Sequence, residues 1–348
     1  MKGPTYKAAV IGLGFIGAAD QVSGDALGQD VGELDGTHAQ ALAAHDQVEL
    51  IAGSSRDEGR RRRFSERMNV ETTYESWRQM LRREYLDIVS IATYTPSHAE
   101  ITIACAEAGV RAVICEKPIA TTLRDADQMI EACKNHNTIL VVNHTRRWQP
   151  LWQSVRDEIR EGSIGEISHL ALHWPSGRLA NIGSHMIDIS SFLFDSTFRE
   201  VSGTLDPYVP PDCRGPEFHD PGGWGIMRLN NGVRVHVDAT ARVKLPFGYR
   251  IFGSLGWIDV GREVADIHMW TGQTRTIKCS PDRPSALAIA VDELVDCLAG
   301  GGNVSATGES ARDALEVIIA FHVSSNLAGR CVSLPLDEES RGLAVMSG

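Results

Sequence analysis

The chain has 348 residues, 43 % of them apolar and 23 % charged, with a formal charge of −11. That length exceeds what one ordinary core organises, so two domains are expected. The acidic balance, without a basic patch interleaved with aromatics, argues against a nucleic-acid partner. The one basic run, Arg60–Arg63, is flanked by Glu58 and Glu66 and reads as a solvated helix face. No apolar stretch approaches the roughly 20 residues of a membrane span. The first residues carry neither an apolar leader segment nor twin arginines. Seven cysteines, an odd number without Cys-x-x-Cys spacing, suit a reducing cytoplasm and argue against a disulfide framework or a zinc site. A cytoplasmic protein without a metal is therefore expected.

Lys7–Ile11 reads as a short strand running into Gly12-Leu-Gly14-Phe15-Ile16-Gly17. Glycines at this spacing allow a tight turn, close backbone approach to a pyrophosphate and helix–strand packing. Alone, the triplet also describes a Gly-rich turn; its position after the first strand favours a dinucleotide. Residues 18–36, with Gly24, Gly28, Gly32 and Gly36, read as a loop that interrupts the expected helix. It either reaches the mouth of a substrate site or decorates the solvent side. Helical periodicity resumes after Thr37, a plausible N-cap. The second strand, Val48–Ala52, is followed by Gly53-Ser54-Ser55-Arg56-Asp57. An acid at this strand end holds the ribose 2′-hydroxyl of NAD, whereas an arginine accommodates the 2′-phosphate of NADP. Ser54, Ser55 and Arg56, with Arg60 a helical turn further on, favour NADP; Asp57, one residue on, keeps NAD open.

Helices are expected over 56–68 and 74–83, then a strand over 88–92 ending in Thr93-Tyr-Thr95-Pro96-Ser-His98. Pro96 after Thr95 signals a helix start, over 99–108. His98 either supports the cofactor or simply caps or packs. The strand Arg111–Cys115 ends in Glu116-Lys117-Pro118, and a helix over 123–135 and a strand over 139–142 follow. Strands alternating with helices imply a doubly wound parallel sheet, an α/β fold whose ligands bind at the strands' carboxyl ends. There Glu116 can accept hydrogen bonds from hydroxyls, and Lys117 can carry or shed a proton.

Gly12-x-Gly-x-x-Gly17, Thr95-Pro96-x-His98 and Glu116-Lys117-Pro118, in this order and spacing, resemble the glucose–fructose oxidoreductase/inositol dehydrogenase/MocA family, as does the closing Ser305–Ala311 segment. The resemblance implies an amino-terminal Rossmann domain (1–145) and a carboxyl-terminal α/β domain (146–335) on a large, mostly antiparallel sheet that often forms a homo-oligomer interface. It further implies hydride transfer between NAD(P) and a hydroxyl or carbonyl carbon, usually of a sugar or cyclitol, with Glu116 near the cofactor and Lys117 at the reacting oxygen. Thr93 joins Thr95, Pro96 and His98 as the middle of the cofactor site.

In the second half, 151–161 reads as a helix and 166–174 as a strand. Over Gly177–Asp188, read as a helix, Asn181, His185 and Asp188 share a face. The family pattern carries an acid and a histidine four apart here, aimed at the substrate; this chain has Asn181 in the acid's place. An amide orients a hydroxyl but takes no proton. Without that carboxylate His185 should be less readily protonated, unless Asp188 substitutes for it, so Lys117 is the expected principal acid/base with His185 assisting. Arg147, Trp148, Trp174 and Arg178 are pocket candidates, with packing an equal alternative. Strands are expected over 198–205, 225–229, 233–241, 249–253, 256–260 and 263–270, with Asn230-Asn-Gly232 a hairpin turn. Residues 206–223 form a long loop, helices over 285–298 and 310–327 close the domain, and the tail 336–348 is loosely held. The expected activity is NADP-preferring oxidation or reduction at a secondary hydroxyl carbon. A redox-assisted glycosidase or lyase, a trans-dihydrodiol dehydrogenase and a non-catalytic NADP sensor are the alternatives.

Overall fold

The computed structural model describes residues 5–22, 30–175, 177–209, 211–212, 214–243, 245–280 and 282–347. Of the expected loop over 18–36, residues 23–29 lie outside the described residues. The first unit takes residues up to Thr145 together with Pro284–Glu309; the second takes Arg146–Arg283 and Ser310 onward.

The first unit runs β1 (Tyr6–Ile11), α1 (Phe15–Ala18), α2 (His38–Ala44), β2 (Val48–Ser54), α3 (Glu58–Met68), β3 (Thr72–Tyr74), α4 (Trp77–Arg83), β4 (Ile88–Ile91), α5 (His98–Glu107), β5 (Ala112–Cys115), α6 (Leu123–Asn135) and β6 (Ile139–Val142). Its sheet is parallel, in the order β3-β2-β1-β4-β5-β6. β4 and β5 are buried at every position, which is why β5 reads as an unbroken apolar run and β4 is interrupted only by the buried Ser90. The order reverses between β1 and β4, the switch point where such sheets open a crevice. β3 replaces the start of the helix expected from Tyr74: Thr72, Thr73 and Tyr74 favour an extended chain and find an open edge on β2. α1 lasts four residues and stops at Ala19, whose φ is +57°. Thr37 holds the N-cap position of α2, yet its hydroxyl donates to Gln40 Oε1 at 2.7 Å instead of capping the backbone.

The second unit contains α7 (Pro150–Arg160), β7 (Ile167–His173), α8 (Gly183–Phe194), β8 (Phe198–Leu205), β9 (Gly223–Leu229), β10 (Arg234–Ala239), β11 (Gly248–Gly253), β12 (Gly256–Val260), β13 (Val264–Met269) and β14 (Thr274–Lys278). The chain then returns to the first unit through α9 (Ala286–Leu298) before α10 (Gly308–Asn326) and β15 (Val332–Ser333). α9 is thus no part of the second domain: Ala286 N–H donates to Asp35 Oδ1 at 2.9 Å, and Val142 N–H to the Ala306 carbonyl at 3.1 Å. The nine-stranded sheet has the order β14-β13-β12-β11-β7-β10-β9-β8-β15, and β7–β10 alone of its described pairs is parallel. Its inner face buries Leu170, Leu172, Val235, Ile251, Ile258 and Ile267. Phe321 of α10 packs on this sheet where Gly203 leaves room; a Cβ there would stand 2.3 Å from the ring.

The segment after Pro335 is held rather than loose. Leu336 N–H donates to Glu316 Oε1 at 2.9 Å, His219 N–H to the Met346 carbonyl at 3.0 Å, and Val345 and Ser347 are buried. Among the described residues, no helix is long and apolar enough to cross a membrane.

Candidate active site

The parallel ladder brings four strand ends of the first unit to one level. Ala92 N–H donates to Ile11 O, Glu116 N–H to Ile91 O and Asn143 N–H to Cys115 O, at 2.8, 2.9 and 2.8 Å. Gly12, Ala92, Glu116 and Asn143 therefore line one edge on consecutive strands. Gly12 has φ +95°, and a Cβ on it would lie 2.3 Å from the Ala92 carbonyl oxygen. A Cβ on Gly17 would lie 1.9 Å from Gly12 O. Neither position admits another residue, so the glycines are required by the fold of the turn. Gly14 is the N-cap of α1. Phe15 is buried, as is Tyr6, and both pack; Ile16 is half-buried.

Glu116 is the buried centre of this edge. Its Oε1 accepts from His38 Nε2 at 3.0 Å and from Asn143 Nδ2 at 2.5 Å, while His38 Nδ1 meets the Ser90 hydroxyl. Burial alone would raise the Glu116 pKa. The hydrogen bond and charge of His38, the charge of Lys117 and the bond from Asn143 outweigh it and hold the carboxyl at about 2, against an ordinary 4.5. With Glu116 ionised, His38 must donate from Nε2, which leaves Nδ1 to accept from Ser90 when the ring is neutral. His38 and Asn143 were not assigned roles from sequence. The available signal was the spacing of the buried face of α2, His38-Ala39-x-Ala41-Leu42, where an imidazole sits among small apolar residues.

A carboxyl whose folded pKa is depressed stabilises above its unfolded pKa and loses that contribution as pH falls towards its folded pKa. Glu116 is thus expected to contribute roughly 3 kcal/mol at neutral pH, disappearing between about pH 4.5 and 2. Glu116→Gln should lower Tm at neutral pH, and the gap to wild type should narrow as pH falls below 4.5. A gap that stays constant with pH would remove the ionised carboxylate from the account.

Lys117 follows at the mouth of β5, half-buried, its N–H 3.3 Å from Glu116 Oε2, and is joined to Pro118 by a cis peptide bond. His98 is buried: Nδ1 lies 3.0 Å from Pro118 O and Nε2 2.9 Å from Thr93 O. Burial pushes its pKa down despite those carbonyls. Its ring brackets the loops after β4 and β5 and faces backbone, so it fixes Lys117's loop. Thr93 accepts from Ser97 Oγ at 2.8 Å, Thr95 is buried, and Pro96 is exposed.

At the end of β2, Ser54 is buried and Arg56 exposed. Asp57 Oδ1 caps α3 by accepting from Arg60 N–H at 2.8 Å. Arg61 donates to the Ser55 and Arg56 carbonyls at 2.6 and 3.1 Å. Arg63 forks onto buried Asp20 at 2.9 and 2.8 Å, with Arg60 3.6 Å from the same carboxylate. The arginine run is therefore a clamp on the chain leaving the glycine turn, not a plain solvated face. The glycine turn and the polar strand end beside it fit a nicotinamide dinucleotide.

The second unit corrects several pocket candidates. Arg147 is buried and grips Asp188 through Nε and Nη2 at 2.8 Å each. The guanidinium thus serves an internal ion pair, and Asp188 is engaged by Arg147 instead of standing in for the missing acid. Trp174 is fully buried and donates its indole N–H to the Gly177 carbonyl at 2.7 Å, a core role. Trp148 is also buried, and Arg178 pairs with Asp212 at 3.3 Å. Asn181 lies in the turn before α8, whose N-cap is Ile182, so it does not share a helical face with His185 as expected. His185 stands half-buried in the first turn of α8. Asp220, from the loop between β8 and β9, was missed: Oδ1 accepts from Ala180 N–H and Oδ2 from Asn181 N–H, both at 2.8 Å. Burial raises its pKa, opposed by those amides, the Ser347 hydroxyl and Arg178.

The family model described as "Oxidoreductase family, NAD-binding Rossmann fold" matches residues 6–144, and the GFO/IDH/MocA C-terminal domain matches 152–259. The chain is 33 % identical to a D-apiose dehydrogenase of Paraburkholderia graminis over 94 % of its own length and 90 % of the relative's. It belongs to the GFO/IDH/MocA family of oxidoreductases. A myo-inositol 2-dehydrogenase of Thermotoga maritima is 32 % identical over 66 % of this chain and 72 % of that protein. The fold matches the oxidoreductase domain protein of Kribbella flavida with a TM-score of 0.81 at 24 % identity, covering 96 % and 100 % of the two chains. It matches a levoglucosan dehydrogenase, solved with NADH and levoglucosan, with a TM-score of 0.77 at 22 % identity, covering 95 % and 100 %. This family member is an NAD(P)-dependent dehydrogenase acting on CH–OH groups.

Proposed function

We propose that the chain interconverts a secondary alcohol and a ketone on a sugar, sugar derivative or cyclitol, with NADP preferred over NAD and Lys117 as the acid/base. The observation that carries this reading is Lys117's place: directly after a buried, ionised Glu116, on the sheet edge that bears the glycine turn two strands away. When bound, the nicotinamide supplies the hydride acceptor or donor. Lys117 takes the hydroxyl proton in oxidation and returns it in reduction. Glu116, fixed by His38 and Asn143, holds the lysine's loop and offers a fixed negative charge beside it. Asn181 orients a neighbouring hydroxyl, and His185 is the second titratable group that assists the proton transfer. The relatives named for D-apiose, myo-inositol and levoglucosan support a polyol substrate.

The NADP preference rests on Arg56, exposed and unobstructed by an acid, because the Asp57 carboxylate caps α3. Pairing of two copies through the second sheet is supported by its exposed aromatics, Trp224 on β9 at 61 % and Trp270 in the turn after β13 at 57 %. The test is a panel of aldoses, sugar acids, sugar nucleotides and cyclitols, each assayed with NAD and with NADP. Turnover of at least one polyol, faster with NADP, is expected. Inertness to the whole panel would overturn the hydroxyl reading, and a strong NAD preference would overturn the role of Arg56.

A further inference from the structure

We propose that Asp220 is a positioning residue for the reaction and that Ser347 fastens the 345–347 segment to it as a strap. The inference rests on the reading that Asn181 and His185 serve the substrate. The turn 178–184 delivers both residues. Its own bonds run from Ile182 and Gly183 N–H to Arg178 O at 3.0 and 3.1 Å, and from His185 N–H to Ile182 O at 3.2 Å. Those bonds engage neither the Ala180 nor the Asn181 N–H, and a backbone N–H held in a buried turn needs an acceptor. One buried carboxylate answers both, 40 residues away in sequence. The neighbouring Leu179 N–H donates to Pro221 O at 2.9 Å, so residues 179–181 are tied to 220–221 through three consecutive amides. A displacement of Asp220 therefore moves Asn181 directly and His185 one turn later.

Ser347 Oγ donates to Asp220 Oδ2 at 3.0 Å, the oxygen that also holds Asn181. Ser347 is fully buried, and the adjoining Met346 carbonyl accepts from His219 N–H at 3.0 Å. Residues 346 and 347 are thus stitched to 219 and 220 in turn. A carboxylate buried with few donors is costly, and the serine hydroxyl supplies one of them. Without it, Asp220 would have to draw water or protonate, and either loosens its hold on the turn.

The experiment compares wild type, Ser347→Ala and Asp220→Asn, the serine variant being the milder should Asp220→Asn fold poorly. Hydrogen exchange of peptides spanning 178–188 is read beside kcat, KM and NADP Kd. Faster exchange confined to this stretch, a kcat lowered about tenfold, and a cofactor Kd within about twofold are expected. Unchanged exchange in Ser347→Ala would overturn the strap, and faster exchange with kcat and KM intact would reduce Asp220 to a structural cap. If the wild-type chain turns over nothing, the functional reading has failed, and the exchange result alone then judges whether Asp220 and Ser347 hold the turn.

Discussion

Lys117→Met is expected to lower kcat by on the order of 10²–10⁴, the usual contribution of a positioned acid/base, while NADP Kd changes by less than about threefold. Methionine keeps most of the side chain's length and apolar body but can neither carry nor release a proton. Cofactor binding should survive because the glycine turn is fixed by backbone contacts at Gly12 and Gly17 that do not involve the lysine. Glu116 also retains its bonds from His38 and Asn143 in the variant. Stopped-flow turnover and fluorescence titration of the cofactor separate the two quantities. A variant that keeps kcat within about tenfold, a difference of only ~1.4 kcal/mol, would show that the proton moves through another group.

Arg147→Met is expected to destabilise the protein by about 3–5 kcal/mol, because it strands Asp188 as an uncompensated charge inside the second unit. Asp188 is 1 % exposed and the guanidinium meets both of its oxygens, so neither water nor another geometry relieves the loss cheaply. The double variant Arg147→Met/Asp188→Leu should recover most of that stability, since an apolar pair of similar volume often matches a buried ion pair. Denaturant midpoints of the three variants measure this. A single variant within about 1 kcal/mol of wild type would place Arg147 at a wet site after all, as the pocket candidate suggested by its sequence position.

The parts of the fold that were legible are those with local signatures. β4 and β5 are short, mostly apolar runs buried at every position, the Gly12–Gly17 turn has a spacing forced by its own backbone, and Glu116-Lys117-Pro118 closes a strand. What was not legible depends on pairings distant in sequence. His38 reaches Glu116 across 78 residues and past an inserted loop, so nothing local marks it as that carboxylate's partner. Asp220 finds the Asn181 turn across 39 residues. Arg147 and Trp174 have the chemistry of pocket residues, and only burial shows that one is in an ion pair and the other in the core. The edge strands β3, β14 and β15 are too short or too polar to stand out, and β15 is two residues long. The return of 284–309 to the first unit follows from packing of α9, which an apolar helical stripe alone cannot assign to one domain or the other.

Proton transfer by Lys117 itself can be tested by chemical rescue. Lys117→Ala is assayed with saturating NADP and a polyol substrate across a series of small primary amines at fixed pH. The expected result is turnover that rises with the concentration of added amine and varies systematically with amine basicity, while bulkier amines of equal basicity do less. Turnover that ignores the amines, in a variant that still binds NADP and polyol as wild type does, would contradict the assignment.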